Sequence, residues 1–509
     1  MAFLGSIFIA ALALFLGTFV LQSLRTFLAY ESLRRRVSAE EPPTYRHKDP
    51  FFGLDLFLGY KRAFSEGRFL ELNRRHFEFY GKTWKANKLG TTIIKTIDPE
   101  ISKAFHATHF EEFGLEPLRY ENGKRLFGNG ILVVDGPKWA HGRALIRPSF
   151  ETVHIANFQR LKPHTDNFMK LLPRDCSTID LLPLLRLLIL DTSSEFIFGE
   201  PMGALSSSKT SEDITNSFAY AQRGIGIRTE LGRLRFLHFD KQWTMSCDKV
   251  HAFCDAHVMK AVERMQSGKP ATTNKGRLRL VDEMAKDTQD LLDLRHQILS
   301  VFSPGHDSTA VALGNTFFHL ARHPETYQKL RDEILPTKDM PLTFDLVRSY
   351  KFLEFVLKET QRLTPLATMN QRQCLKTTVL PCGGGKDGRV PLVIQKGEIL
   401  EVHYRLMMRD KSIWGLDADE FKPERWADAR PAWSYTPFGG GPRTCPAQRL
   451  LFTEAAYIAV RILRDVKNIE NRDETWEWQE EMRLTFQSKN GVKVGLTWDE
   501  PDDSFQPSK

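Results

Sequence analysis

The sequence has few cysteines, and none of them form a Cys-x-x-Cys pair. The six cysteines of the 509 residues stand at positions 176, 247, 254, 374, 382 and 445. A disulfide scaffold needs a dense and regular set, so this scatter excludes that class and indicates a reducing compartment. The chain also has no internal repeat and no long basic block. A net charge of +8 without such a block argues against nucleic acid and favours an anionic membrane or an acidic protein as partner.

The first 24 residues carry no charge and read MAFLGSIFIAALALFLGTFVLQSL. About 20 apolar residues suffice to span a bilayer. The first basic residues, Arg25 and then Arg34, follow this run, whereas a cleaved signal peptide has a positive start and a shorter apolar core. Because basic flanks stay in the cytosol, we expect a transmembrane signal anchor over residues 1–28, with a cleaved peptide as the alternative. A basic and proline-rich linker over residues 29–50 would follow.

Beyond the linker, the periodicity predicts a mainly α-helical chain with a minor β part. A loop rich in Gly, Asn and Phe is expected at about residues 112–132. Further expectations are a long helix over 288–322, a helix over 349–363, β-hairpins over 370–405 and an irregular segment over 406–437. The acidic tail is predicted to be disordered, because it contains too little apolar surface to order itself. That tail comprises residues 500–509.

One cysteine ends a glycine-rich loop directly before an apolar helical run. Residues 437–448 read PFGGGPRTCPAQ. A thiolate in this position can be the axial ligand of a haem iron. The glycines let the backbone approach a porphyrin closely, and N–H groups at the helix start can stabilise the thiolate. A glycine-rich turn around a structural cysteine is the alternative, which the combination of Phe438, Gly441, Arg443 and Cys445 disfavours.

This loop resembles the haem-binding signature of the cytochrome P450 superfamily, Phe-x-x-Gly-x-Arg-x-Cys-x-Gly/Ala. The resemblance extends over about residues 40–495 and implies the cytochrome P450 fold, a helical haem domain with small β-sheets. It implies one haem-thiolate domain over residues 51–499. Haem b would be the cofactor, with the Cys445 thiolate on the iron, Phe438 and Gly441 beside the ring and Arg443 on a propionate.

Other haem-contact residues follow from the same resemblance. Trp139 and Arg143 stand four residues apart and resemble the Trp-x-x-x-Arg pair that donates to a haem propionate. Arginine suits this role because its planar guanidinium binds a carboxylate through two nitrogens. Arg372 is a further propionate candidate. Without the cysteine loop, a core tryptophan beside a surface arginine would be the simpler interpretation of the first pair.

Glu359 and Arg362 lie three residues apart on a predicted helix, so they can pair on one face. Such a pair is usually a solvated surface pair. Together with Arg425 it resembles the family's Glu-x-x-Arg and Pro-Glu-Arg-Trp elements. The implied role is structural, since the cluster would fix the cysteine loop and perform no chemistry.

The segment Ser303–Thr309 reads SPGHDST and resembles the family's Ala/Gly-Gly-x-Asp/Glu-Thr-Thr/Ser motif. An alcohol over the haem, supported by an acid, can relay protons to bound oxygen. Asp307 would be the acid and Ser308 the alcohol, in a position where threonine is usual. Pro304 also departs from the motif, because proline removes a helical hydrogen bond. Both departures bear on how oxygen reduction is coupled to product formation.

Several segments, including 135–143 and 380–388, resemble the fungal alkane- and fatty-acid-hydroxylating members. This resemblance implies a monomeric monooxygenase of the endoplasmic reticulum membrane, single-pass, with a cytosolic catalytic domain. It would hydroxylate an apolar substrate, a fatty acid or alkane, with O₂ and with electrons from NADPH through NADPH–cytochrome P450 reductase. A tailoring oxidase of fungal secondary metabolism is the alternative. A haem-thiolate isomerase or dehydratase and a non-catalytic haem carrier are disfavoured by Asp307 and Ser308.

Overall fold

The computed structural model describes residues 2–207, 209–268, 278–483 and 485–499. The predicted disordered tail, residues 500–509, lies outside the described residues. Helices predominate, as the sequence predicts. They are α1 Ala2–Arg36, α2 Leu54–Glu66, α3 Phe69–Tyr80, α4 Pro99–Lys103, α5 Glu116–Phe127, α6 Gly136–Ile146, α7 Thr152–Ile155, α8 Leu161–Leu171, α9 Leu181–Phe198, α10 Lys209–Leu231, α11 Lys241–Gln266, α12 Leu280–Met284, α13 Leu291–Gly305, α14 Ser308–Leu320, α15 Pro324–Ile334, α16 Phe344–Ser349, α17 Lys351–Leu363, α18 Tyr404–Met407, α19 Lys411–Trp414 and α20 Gln448–Asp465.

The strands are short and form small sheets. They are β1 Thr83–Lys88, β2 Thr91–Thr96, β3 Phe113–Gly114, β4 Ile179–Asp180, β5 Asn370–Cys374, β6 Thr378–Gly384, β7 Val390–Ile394, β8 Ile399–Val402, β9 Val466–Asn471, β10 Glu480–Met482, β11 Phe486–Ser488 and β12 Lys493–Trp498. The largest sheet has five strands in the order β1-β2-β8-β5-β3, with β2 and β8 parallel. The predicted hairpin region contains the antiparallel pair β6–β7. The minor β part is therefore confirmed.

The described residues group into two compact units, each built from separate chain segments. The sheet unit comprises Met1–Leu58, Asn73–Gly114 and Gln371–Val402, and the helical unit comprises the rest. Domain boundaries at residues 50 and 499 stay predictions.

In the sheet unit, residues predicted as a linker are bonded to strands. Helix α1 continues to Arg36, beyond the predicted end of the anchor. The Tyr45 N–H donates to the Lys85 carbonyl at 2.8 Å, and the Lys85 N–H donates to the Pro43 carbonyl at 2.9 Å. Among the described residues, no helix combines the length and the apolar character needed to cross a membrane. The anchor stays a prediction.

In the helical unit, helix α9 contributes to two apolar clusters. Its first half, Leu181–Ile189, packs with α8, α14, α15, α17 and α20, and its second half packs with α10, α11 and α13. Fourteen of its residues are buried, which accounts for an apolar run without clear amphipathic periodicity.

Two predicted elements are wrong in detail. The loop expected at 112–132 contains helix α5, which has Pro117 in its first turn and ends where Gly128 takes φ +50°. Proline at a helix start and glycine at its end are ordinary boundary residues. The long helix expected over 288–322 is two helices, α13 and α14, separated by His306 and Asp307. Pro304 lacks the N–H that would bond the Ser300 carbonyl, and α13 ends one residue later.

Candidate active site

The loop before Cys445 is shaped by glycines in left-handed conformations. Gly439 has φ +71° and Gly441 has φ +63°, values that a residue with a Cβ adopts at a cost. The Cys445 N–H donates to the Phe438 carbonyl at 3.1 Å, so the loop closes on itself. The Phe438 ring packs edge-on against Phe452 at 5.4 Å between centroids. Because Phe452 lies on α20, this contact fixes the loop on that helix.

The Cys445 sulfur lies at the N-terminal end of α20. Burial raises the pKa of the Cys445 thiol, while the N–H groups of Ala447 and Gln448 and the Arg143 guanidinium act to lower it. Hydrogen bonds from backbone N–H groups and a nearby cation favour the thiolate over the thiol. The local structure therefore supplies the donors that a metal-bound thiolate needs.

The other cysteines in described segments have different surroundings. Cys247 and Cys254 are buried among the apolar residues of α11, and burial raises the pKa of Cys247 to about 12. Cys374 and Cys382 belong to the sheet unit, where burial raises the pKa of each to about 12. None of these four sulfurs lies at the start of a long helix, and the fifth cysteine, Cys176, is exposed. Cys445 is thus the cysteine best suited to hold a metal.

Arg143 and Trp139, the predicted propionate pair, both lie on α6. Burial lowers the pKa of Arg143, while the electrostatic interaction with Cys445 raises it. No carboxylate of the described residues pairs with Arg143. Trp139 contacts Arg443, whose guanidinium carbon lies 4.7 Å from the centre of the indole ring. The structure therefore brings Trp139, Arg143, Arg443 and Cys445 into one neighbourhood.

Arg443 has protein partners in this structure. Its Nη2 donates to Oδ1 of Asp135 at 2.5 Å and to the Val134 carbonyl at 2.6 Å. Asp135 in turn exchanges hydrogen bonds with Glu116, since the N–H of each donates to the carboxylate of the other. No role was predicted for Asp135, although its position directly before the first turn of α6 is typical of a polar residue that anchors a helix start.

Arg372, the remaining propionate candidate, belongs to the sheet unit. Its Nη1 donates to the Phe105 carbonyl at 2.7 Å, and its guanidinium lies over the Phe105 ring at 4.5 Å. Burial, together with the Arg372 cation, lowers the pKa of His106 to about 3. Contact of Arg372 with haem stays a prediction.

The predicted Glu–Arg–Arg cluster is present and fully buried at its centre. Glu359 accepts two hydrogen bonds from Arg362, both at 2.8 Å, and one from Arg425 at 2.9 Å. The Trp426 indole N–H donates to Oε2 of Glu359 at 3.0 Å, and the Lys422 N–H donates to Oε1 at 3.0 Å. Five hydrogen bonds thus converge on this one buried carboxylate. The cluster joins α17 to the irregular segment that precedes the cysteine loop.

The predicted relay residues lie at the break between α13 and α14. Ser308 is the first residue of α14 and is half-buried. Asp307 is buried, and its Oδ1 accepts from Arg186 Nε at 2.7 Å while its Oδ2 accepts from Thr485 Oγ1 at 2.9 Å. Burial alone would raise the pKa of Asp307, but Arg186, His306 and Thr485 outweigh it and lower that pKa.

The role of Arg186 was not predicted from the sequence, and neither was the contact of Thr485 with Asp307. Arg186 is the only charged residue in the segment 181–190. A single arginine in an apolar helical run is a signal for a paired or functional charge. Thr485 carries no comparable signal, because its contact with Asp307 spans 178 positions of the sequence.

The described residues fit a haem held through Cys445. The sulfur has backbone donors, the loop glycines remove side chains from one face, and Arg143 offers a half-buried cation without a carboxylate partner among the described residues. A propionate is the kind of anion that such an arginine binds. The hydrogen-bond donors around the sulfur and the positive charge of Arg143 therefore agree with a thiolate-ligated porphyrin.

Comparison with known proteins agrees with this geometry. The profile of the family described as Cytochrome P450 matches residues 43–492. Cytochrome P450 monooxygenase iccC of Talaromyces variabilis is 38% identical over 467 residues, which are 90% of this chain and 92% of the relative. Cytochrome P450 monooxygenase apdE of Emericella nidulans is 35% identical over 476 residues, 92% of this chain and 91% of the relative. Cytochrome P450 monooxygenase fumoA of Cordyceps fumosorosea is 36% identical over 488 residues, which are 93% of this chain and 95% of the relative.

Members of this family use a haem iron with an axial cysteine thiolate, and they act on a small-molecule substrate with O₂ and a reductase as redox partner. The match covers both the cysteine loop and the Asp307–Ser308 segment. The chain belongs to the cytochrome P450 family and is a haem-dependent monooxygenase.

Proposed function

We propose that this monooxygenase hydroxylates a C–H bond of an apolar small molecule, with Cys445 as the axial ligand. The observation that carries the proposal is the Cys445 sulfur at the start of α20, with two backbone N–H donors and the Arg143 cation beside it. Haem with a thiolate ligand supplies the oxygen-activating chemistry when bound. Arg143, Trp139 and Arg443 would hold its propionates, and Phe438 and Gly441 would lie beside the ring.

On the oxygen side, Asp307 and Ser308 would deliver protons. Ser308 has a hydroxyl that can donate and accept, and Asp307 is the neighbouring acid. An enzyme that isomerises or dehydrates its substrate needs no such pair. Asp307 and Ser308 therefore favour an oxygen-reducing enzyme over an isomerase, a dehydratase or a non-catalytic haem carrier.

Two substrate classes fit this proposal. The glycine-rich β6–β7 hairpin resembles that of fungal fatty-acid and alkane hydroxylases, which supports a fatty chain. The three relatives are cytochrome P450 monooxygenases of fungi. This supports a tailoring oxidase of fungal secondary metabolism as the second candidate.

An NADPH–cytochrome P450 reductase is the electron donor that we propose. A surface groove of about 400 Å³ lies beside the start of α20, lined by apolar residues of α16, α17 and α20. The charged residues of the groove are Arg348, Lys351, Glu354, Lys358 and Arg449. Glu354 pairs with both lysines but compensates only one positive charge, so the groove stays positive. An acidic surface of the donor would complement this charge.

We further propose that the protein acts as a monomer anchored in the endoplasmic reticulum membrane through residues 1–28, with its catalytic part in the cytosol. The uncharged first 24 residues and the basic residues after them support this orientation. Protease protection of the intact chain in microsomes tests it, since a cytosolic catalytic part is digested without detergent. Protection of that part would contradict the orientation.

Product analysis tests the function. Microsomes containing the chain and a fungal reductase receive NADPH and either long-chain fatty acids and alkanes or an extract of fungal secondary metabolites. Hydroxylated fatty chains would establish the first substrate class. Oxygenated products from the extract alone would establish the second. Absence of both, with a thiolate-type reduced-CO spectrum and reductase-dependent NADPH oxidation, would contradict the proposed hydroxylation.

A further inference from the structure

The Asp307 carboxylate is held from two sides by residues far away in the sequence. Arg186 of α9 holds Oδ1, and Thr485 holds Oδ2. The side chain of Asp307 is only 11% exposed, so water cannot replace these partners without a rearrangement. Both oxygens of this acid are therefore occupied by protein donors.

The hairpin formed by β10 and β11 supplies the second layer of this arrangement. Thr485 immediately precedes β11, and Gln487 lies on β11. A second nitrogen of Arg186 donates to the Gln487 side-chain oxygen. The Gln487 amide nitrogen donates to Glu481 at 2.5 Å, and Glu481 is its cross-strand partner. The hairpin thus touches Asp307 directly through Thr485 and indirectly through Gln487 and Arg186.

Arg186 is the main cation that faces Asp307. His306 lies in the same turn, and the hairpin presents the neutral side chains of Thr485 and Gln487, with Glu481 behind them. Burial favours the protonated acid, whereas the Arg186 cation and the Thr485 hydrogen bond favour the carboxylate. A displacement of Arg186 or of Thr485 therefore changes the proton affinity of Asp307.

We propose that Arg186 and Thr485 are positioning residues for proton delivery, and that the β10–β11 hairpin orients Arg186 through Gln487. Neither residue exchanges the proton. They fix the direction and the charge of the Asp307 carboxylate, which must release its partners before it carries a proton towards Ser308. The inference rests on the proposed role of Asp307 as the relay acid.

The first test compares coupling, measured as product formed per NADPH consumed. The variants are Arg186→Gln and Thr485→Val, with Arg186→Lys as the conservative variant and Ser488→Ala as the control on the same hairpin. We expect Arg186→Gln to lower product per NADPH about 10-fold, less than the roughly 10²–10⁴-fold that loss of an acid–base group costs, because Asp307 itself is retained. The pH profile of coupling should change while KM stays constant. Arg186→Lys should restore most of the coupling, and Ser488→Ala should behave like the wild type.

The second test needs no turnover and follows the apparent melting temperature of the haem-loaded chain from pH 3 to pH 7. In the wild type, the lowered pKa of Asp307 means that its stabilising contribution is present above about 3.9, the unfolded value, and is lost as the pH falls through the folded value. In Arg186→Gln, the main cation that stabilises the buried Asp307 carboxylate is lost. The melting temperature should therefore lie furthest below that of the wild type at neutral pH, and this difference should shrink as the pH falls. Adding Asp307→Asn to the Arg186→Gln variant should remove this pH dependence.

Four outcomes decide the inference. Altered coupling in both variants together with the pH-dependent deficit supports it. Uncoupling by Asp307→Asn with normal coupling in Arg186→Gln and Thr485→Val would overturn this inference alone. Normal coupling in Asp307→Asn would overturn the relay role of Asp307 and this inference with it. A deficit of equal size at every pH would show that Arg186 contributes packing only.

Discussion

The Nε atom of Arg425 lies 2.9 Å from Oε1 of Glu359, across 66 positions of the sequence. The same oxygen accepts a hydrogen bond from Arg362. Because Glu359 is fully buried, each of its donors compensates a charge that has no access to water. This contact ties the segment before the cysteine loop to α17 and so determines where Cys445 lies within the helical unit.

Replacing Glu359 should therefore destabilise the protein strongly. Glu359→Gln leaves Arg362 without a compensating charge and Arg425 with Asp417 alone, and breaking a buried pair in this way costs about 3–5 kcal/mol. We expect a lower urea midpoint and loss of haem. Glu354→Gln on the same helix is the control, since its side chain is 43% exposed and such pairs contribute about 0–1 kcal/mol. Equal effects of the two substitutions would contradict the structural role of the cluster.

Cys445→Ala should abolish the thiolate-type spectrum of the reduced CO complex, because no other described cysteine lies at a helix start beside a cation. Cys254→Ala is the matched control. Cys254 is buried on α11, so its loss should lower stability without removing the spectrum. A thiolate-type band in Cys445→Ala would refute the axial-ligand assignment.

Ser308→Ala should retain haem and NADPH oxidation while product formation falls by about 10²-fold, the lower end of what a positioned acid–base group contributes. Ser308→Thr should restore the product, since threonine has the same hydroxyl. Ser300→Ala is the control, because the Ser300 hydroxyl is bonded to the His296 carbonyl within α13. Full coupling in Ser308→Ala would show that another group relays the proton.

Charge reversal at the groove should slow reduction by the reductase. Arg348→Glu and Arg449→Glu place negative charge where an acidic donor would dock, and lost electrostatic steering lowers association rates about 10-fold or more. The effect should diminish at high salt. Stopped-flow reduction measures it, and Arg389→Glu at an exposed position of the sheet unit is the control. Equal rates for groove and control variants would place the docking surface elsewhere.

Helices α17 and α20 and the Glu359 cluster were predictable from the sequence. The signals for the helices are local, because apolar spacing defines each of them. The Glu359 cluster joins distant positions and was expected from the resemblance of its two motifs to those of the family. The α13–α14 break was not predicted as a break. Pro304 indicated a kink, but whether a helix continues beyond a kink depends on tertiary partners, and here Asp307 is held by Arg186 and Thr485 instead of continuing the helix.

The family, the cysteine loop and the predominance of helix follow from the amino-acid sequence, because each is encoded in a contiguous run or a fixed spacing. Which charges compensate one another depends on the packing of distant segments. Arg443 binds Asp135, and Asp307 is held between α9 and the β10–β11 hairpin. Such pairings join positions more than 100 residues apart, and burial gives them their strength, so they follow from the packed fold alone.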